Sequence, residues 1–364
     1  MAERIVARGE WMDVAKGAAI VFVVVFHAFL YVEGAGVKGM PSLLKVPLEL
    51  FPIPAFFVLA GMTQHRTPTY AFRDLLRRRI LPLVYLYVLW SVIRWVFYVV
   101  VPGIDGGLGD LSAESPLTLA LLLVWPSSSY WFLWALALFT LVGWLLRAVP
   151  PVVQLAASGV LAALQGAGIV DPGNVGWDRV AGMLFLYLLG LHFSGRIASS
   201  VAASGWRQLA ASGAVVVLVV AALVLLRARS VPGVVLVGQL AAVAFGLVLA
   251  RTIAPRRGSA ALADWGRRSL TIYLVHLFPI VSLAAVLSAS GWQPPRAVGA
   301  VLQVVLAAVA LAASLWIIRA TSRVRWLYVP PRPLSDVLRP RGARRTGARA
   351  ATPRHEPPAE GGTA

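Results

Sequence analysis

Two ionisable side chains stand inside the first apolar stretch of this chain, residues 10–31, EWMDVAKGAAIVFVVVFHAFLY: Lys16 and His27. A neutral imidazole with a pKa of about 6.5 can take a proton from a hydroxyl at neutral pH. It can also accept an acyl group itself and pass it on as an acyl-imidazole. Eleven residues separate the two positions. At about 100° per residue that is three turns plus roughly 20°, so both lie on one helix face, about 16 Å apart along the axis. An ionisable group within a bilayer costs about 2.5 to 3.5 kcal/mol and faces a protein interior or a watery cavity. A helix–helix hydrogen bond is the structural alternative for His27, and a snorkelling salt bridge to Asp13 the alternative for Lys16.

The remaining candidates are few. Of the other four histidines, His65 and His192 fall near the ends of apolar spans, where an imidazole needs no function, and His355 lies in the C-terminal tail. His276 follows Tyr273 by three residues in SLTIYLVH, which puts both on one helix face. That pair reads equally as interhelical glue or as a functional element. Arg73, Arg77, Arg78 and Arg79 form a basic cluster. It reads as a topology signal or as a site for a phosphate-bearing cofactor, since guanidinium groups pair bidentately with phosphate. Trp131 opens an aromatic run, WFLW, of the kind found at a membrane interface. The chain has no cysteine, which excludes thiolate nucleophiles, disulfides and Cys-ligated metals. Neither zinc-ligand spacing nor a glycine-rich phosphate loop is present, and no metal is expected.

The elements that must carry these residues are membrane helices. Of 364 residues, 59% are hydrophobic and 13% charged, with a mean hydropathy of +0.77. Those values fit a polytopic, all-α bundle rather than a soluble domain. Apolar windows predict about ten spans, at 14–32, 46–62, 80–101, 131–146, 152–170, 180–193, 209–226, 234–250, 269–288 and 297–318. Pro52 and Pro54 are expected to bend the second. The apolar piece 117–125 is too short to cross and reads as interfacial or re-entrant. Glu10 and Asp13 interrupt the basic region that a cleavable signal would need, so the first span is expected to be retained.

The net charge of +18 does not mark a nucleic-acid binder. The basic residues lie mostly in short loops and a tail that alternate with apolar spans, as the positive-inside rule requires. This alternation predicts both termini in the cytoplasm, with 65–79 and 251–268 as cytoplasmic connections. The acidic loop around Asp105, Asp110 and Glu114 is placed outside. Arg227 and Arg229 then fall on the side that should lack cations. Residues 1–320 form the transmembrane domain. The tail, 321–364, is rich in Arg, Pro, Gly and Ala and is expected to be disordered.

Several strings appear in a fixed order: WMDVAKGAAIVFVVVFHA in the first span, IPAFFVLAG in the second, RRRILPLVY entering the third, WFLWAL, YLLGLHF, and GRRSLTIYLVH opening the ninth. With the Lys16 and His27 pair, they resemble the acyltransferase type 3 family of integral membrane O-acyltransferases. That family includes O-antigen acetylases, nodulation-factor acetylases and macrolide acyltransferases. The resemblance covers about residues 8–318 and departs at Ala60, where a serine usually precedes Gly61, and in the spacing of the arginines before the third span.

The resemblance implies transfer of an acyl group, usually acetyl, from cytoplasmic acyl-CoA to a hydroxyl of a cell-envelope glycan or small molecule, at the plasma membrane. His27 corresponds to the essential histidine and Lys16 to its basic partner. Arg73, Arg77, Arg78 and Arg79 correspond to the donor-contacting set. Tyr273, His276 and Trp131 are candidates for holding the acceptor. Whether His27 acts as general base or acyl carrier stays open. The alternative class is a transporter or flippase of a lipid-linked glycan, which ten helices with kinking prolines would also suit.

Overall fold

A computed structural model describes residues 2–101 and 111–331. Asp105 and Asp110 of the acidic loop, His355, and the tail from 332 onward lie outside the described residues. Among the described residues every regular element is helical, and nine helical stretches are long and apolar enough to cross a membrane. The protein is a multi-pass membrane protein. Large apolar side chains that would be a hazard in water cover its outer faces, such as Val217, Leu218, Val301 and Trp316. α10 (Trp206–Leu225) buries none of its residues and stands at the rim against α11 (Val234–Ile253).

Of the ten expected spans, the fifth, 152–170, is shorter than expected. α8 (Pro151–Gly166) has only 16 residues, about 24 Å at 1.5 Å per residue, less than the roughly 30 Å hydrocarbon core. It stops where Gly168 turns through a positive φ. The second span divides as expected, with α2 (Lys45–Leu50) and α3 (Pro52–Thr63) meeting at the Phe51–Pro52 break. The segment 117–125 does not cross either. It holds α6 (Pro116–Ala120) and a run of turns whose exposed carbonyls are claimed by aromatic donors. Tyr87 donates to Leu122, Trp134 to Leu123 and Trp177 to Val124.

Two stretches read as cytoplasmic connections are helical over part of their length. The arginine cluster sits in α4 (Phe72–Leu75) and a π-turn over Leu76–Ile80 that leads straight into α5 (Leu81–Val100). Pro82 explains the wide turn, because its ring displaces a carbonyl one turn back and it offers no donor. Within 251–268, α12 (Ala260–Arg267) lies flush against α1 (Ala2–Gly34). A Cβ at Gly17 would overlap the Leu262 carbonyl, and one at Gly266 the Asp13 carbonyl. Small residues let the backbones touch, the usual device where lipid removes the hydrophobic drive between helices. α3 meets α9 (Val175–Ala203) the same way through Gly61 and Gly190.

Candidate functional site

α1 runs unbroken past both of its ionisable residues. Between Trp11 and Phe29 its buried side is small or β-branched, with Val14, Ala15, Ala19, Ile20, Val23, Val24 and Ala28, so neighbours approach closely. Lys16 Nζ lies 3.6 Å from Asp13 Oδ1, and both groups remain partly accessible. They line a cavity of about 420 Å³ whose wall includes Ala60, Thr63, Leu136, Arg267 and Tyr273. That volume lies within the roughly 300 to 1,000 Å³ range of small-molecule sites. Apolar side chains dominate the far wall while cations stand at one end, the arrangement suited to a long ligand with an apolar arm and an anionic head.

His27 faces a second, much smaller cavity of about 70 Å³, bounded by Glu49, Ile53, Ser129, Trp131, Arg179 and Tyr273. At roughly 30 Å³ per water, it holds about two waters or one small acyl or hydroxymethyl group. Ile53 and Tyr273 wall both this neck and the Lys16 cavity. Glu49, Arg179 and Met183 wall the neck and also a third, open cavity of about 660 Å³. Thus His27 stands at the narrowest of three adjoining spaces. Lys16 does not share its cavity: Ile53 and Tyr273 stand between them, although the two residues lie on one face of α1.

The hydrogen bonds around His27 fix its tautomer. Its Nδ1 is 2.8 Å from the Val23 carbonyl oxygen. A carbonyl can only accept, so Nδ1 carries the proton and Nε2 keeps its lone pair. His276 Nδ1 likewise donates to the Tyr273 carbonyl at 2.7 Å, which leaves its Nε2 as an acceptor. That Nε2 lies 3.3 Å from His27 Nδ1, with the rings edge-on at 5.0 Å between centroids. His276 is fully buried and lines neither the neck nor the Lys16 cavity. Its ring contacts are with His27 and Tyr273.

Tertiary bonds set the position of His276. It falls at the junction of α13 (Ser269–Val275) and α14 (Leu277–Ser290), three residues before Pro279, which cannot donate to the Val275 carbonyl. Tyr130 donates to the Leu274 carbonyl at 2.7 Å, and Tyr273 donates to the Ser129 carbonyl at 2.8 Å. These reciprocal bonds lock the start of α7 (Trp131–Leu145) to the broken turn. The Tyr273 ring stacks on His276 at 5.8 Å and 28°. Trp131, 9% exposed, lies on the neck wall and packs near Phe57.

The arginine cluster is placed differently from expectation. None of Arg73, Arg77, Arg78 and Arg79 lines the neck or the Lys16 cavity. Arg78 pairs with Asp74 at 3.5 Å at the exposed helix surface. Arg267, read in sequence as one more topological cation, is the arginine on the Lys16 cavity wall. Glu49 and Arg179 on the neck wall were also passed over. Glu49 carried a usable signal, being an acid inside an apolar span; Arg179 looked like an ordinary loop charge. Thr63, one turn beyond Ala60, supplies a hydroxyl to the Lys16 cavity where the expected serine is missing. His65 and His192 serve structure: His65 bonds the Met62 carbonyl, and His192 joins Gln154 at 2.9 Å. Among the described residues no group of three or more His, Cys, Asp or Glu could hold a metal ion.

In whole-chain comparisons no curated protein and no solved structure matches. The family model Acyl_transf_3, described as an acyltransferase domain, matches residues 10–319, a span that contains Lys16, His27, His276 and the walls of all three cavities. The chain therefore belongs to the acyltransferase type 3 family and is a membrane acyltransferase.

Proposed function

We propose that the protein moves an acyl group, acetyl in the simplest case, from acyl-CoA to a hydroxyl of a cell-envelope glycan or related small molecule at the plasma membrane. The observation that carries this reading is His27, with a lone pair on Nε2, at a neck between a cavity holding Lys16 and a larger polar cavity beyond. The donor enters on the Lys16 side. Its acyl-bearing arm fills the 420 Å³ cavity, while its phosphates meet Arg267 at the wall and the Arg73, Arg77, Arg78 and Arg79 set outside it. The charge pattern of the loops supports a cytoplasmic position for this side.

At the neck, His27 Nε2 takes the proton of the acceptor hydroxyl as its oxygen attacks the thioester carbon. The C–S bond breaks, and the CoA thiolate leaves with the proton that the imidazolium returns. The Nδ1–H, shared between the Val23 carbonyl and His276 Nε2, holds the ring still and supports its transient positive charge. Ile53 and Tyr273, which line both spaces, narrow the passage so that only the acyl end of the donor reaches His27, which limits loss of the thioester to water. The same geometry suits a route through an acyl-imidazole on Nε2; trapping of an acylated His27 separates the two.

Acyl transfer from radiolabelled acetyl-CoA by membranes holding His27→Ala at normal abundance tests the reading. A fall of about 10²-fold or more is expected, and activity near wild type overturns it. Substrate counterflow in proteoliposomes without acyl transfer would assign the protein to transport instead.

A further inference from the structure

The third cavity is the largest of the three, about 660 Å³, and its wall is charged. Six ionisable residues face it: Glu49, Asp171, Asp178, Arg179, Arg227 and Arg229. Each acid has a partner, though only Glu49 has an ionic one. Glu49 pairs with Arg229 at 2.5 Å. Asp178 Oδ1 accepts from Gln165 Nε2 at 2.8 Å, and Asp171 Oδ1 from the Gly173 amide at 2.9 Å. Arg179 and Arg227 form no ion pair among the described residues. The wall is balanced, three acids to three arginines, and Asp171 and Asp178 also lack an ion pair; Arg179 and Arg227 are the two that lack a hydrogen-bond partner as well among the described residues, and Arg179 lies on the neck wall beside His27 too.

Arg227 has a second peculiarity. It is the one non-glycine residue with positive φ among the described residues, at 52°. It follows the C-cap of α10, where helices commonly end on a left-handed residue that is usually glycine or asparagine, so an arginine there is an uncommon choice. Charge placement points the same way. Arg227 and Arg229 sit at the end of the bundle that the loop-charge pattern leaves poor in cations, so membrane topology does not explain them. Lining a cavity does.

We propose that this cavity is the acceptor site and that it selects acceptors bearing an anionic group, a carboxylate or phosphate, bound by Arg179 and Arg227. This rests on the acyl-transfer reading above. Guanidinium groups grip planar oxyanions bidentately. The Gln165, Ser230 and Gln239 side chains offer hydrogen bonds to neighbouring hydroxyls. With the anion fixed, a hydroxyl on the same molecule is presented through the neck to His27 Nε2. The acceptor is thus an acidic sugar or a phosphate-bearing glycan rather than a neutral one.

The test compares methyl β-D-glucuronide with methyl β-D-glucoside on the full chain in zwitterionic nanodiscs, by direct binding and by acetylation with acetyl-CoA. The glucuronide is expected to bind at least about tenfold more tightly, the scale of one charge-assisted hydrogen bond. Arg179→Gln and Arg227→Gln should each erase most of that preference, while Arg179→Lys, which keeps the charge, should retain part of it and reports on folding. Equal binding of the two sugars, binding of neither, or a preference that survives both glutamine variants overturns the proposal. Displacement of the glucuronide by added phosphatidylglycerol, with no acetylation of it, assigns the cavity to a lipid headgroup and also overturns it. The two readings fail separately. Preferential binding without transfer, when His27→Ala changes nothing, leaves the site and removes the enzyme assignment; transfer without preference does the reverse.

Discussion

His276 Nε2 lies 3.3 Å from His27 Nδ1, and because His276 Nδ1 is spent on the Tyr273 carbonyl, the facing nitrogen can only accept. One imidazole thereby orients another. In the acyl-transfer mechanism proposed above, the pair would correspond to the orienting half of a catalytic triad with a neutral acceptor in place of a carboxylate, a choice suited to a buried site where an unpaired anion would be costly.

His276→Ala should leave His27 bonded to Val23 alone and free to tilt in the neck. A loss of about a hundredfold in kcat with little change in KM for acetyl-CoA is expected, the scale of a misplaced catalytic group. His276→Gln, which keeps an acceptor in reach, should recover part of it. Equal losses for both, tracking a fall in thermal stability, would reduce His276 to a packing role.

Tyr273 separates the donor cavity from the neck. Tyr273→Phe removes only the bond to the Ser129 carbonyl, worth about 1 kcal/mol, and should keep most transfer. Tyr273→Ala should merge the two cavities and let water reach the thioester. CoA release without acceptor should therefore rise relative to product formed in its presence; a ratio unchanged from wild type would show that the ring is no barrier.

Gly266→Ala would drive a methyl group into the Asp13 carbonyl, one turn from Lys16. Both partners are backbone, so nothing can swing aside, and a cost of about 1 to 3 kcal/mol or more is expected. Gly195→Ala, with nothing within 4 Å of the added carbon, serves as control. The melting temperature in nanodiscs should fall for Gly266→Ala alone.

Much of the architecture was legible from sequence because lipid imposes a one-dimensional rule: a crossing helix needs about 20 apolar residues, whatever it packs against. α1, the break at Pro52 and the non-crossing segment 117–125 follow from that rule and from proline chemistry. α8 escaped it because a hydropathy window continues through Ile169 and Val170, while the helix ends at Gly166. The helical form of the arginine cluster was not legible because charge reports which segments resist burial and says nothing of whether they are helical.

For the site, the sequence by itself determined the two imidazoles, the lysine and the helix face that Lys16 and His27 share, since residue type and a 3.6-residue period need no partner. Only the tertiary structure decided that Ile53 and Tyr273 stand between Lys16 and His27, that His276 serves His27, and that Arg267, Glu49 and Arg179 line the route. Those relationships join helices up to 249 positions apart in the chain. They arise from close backbone contact at Gly17 and Gly266 and from the Tyr130 and Tyr273 hydroxyls, and no local period encodes which helix will lie beside which.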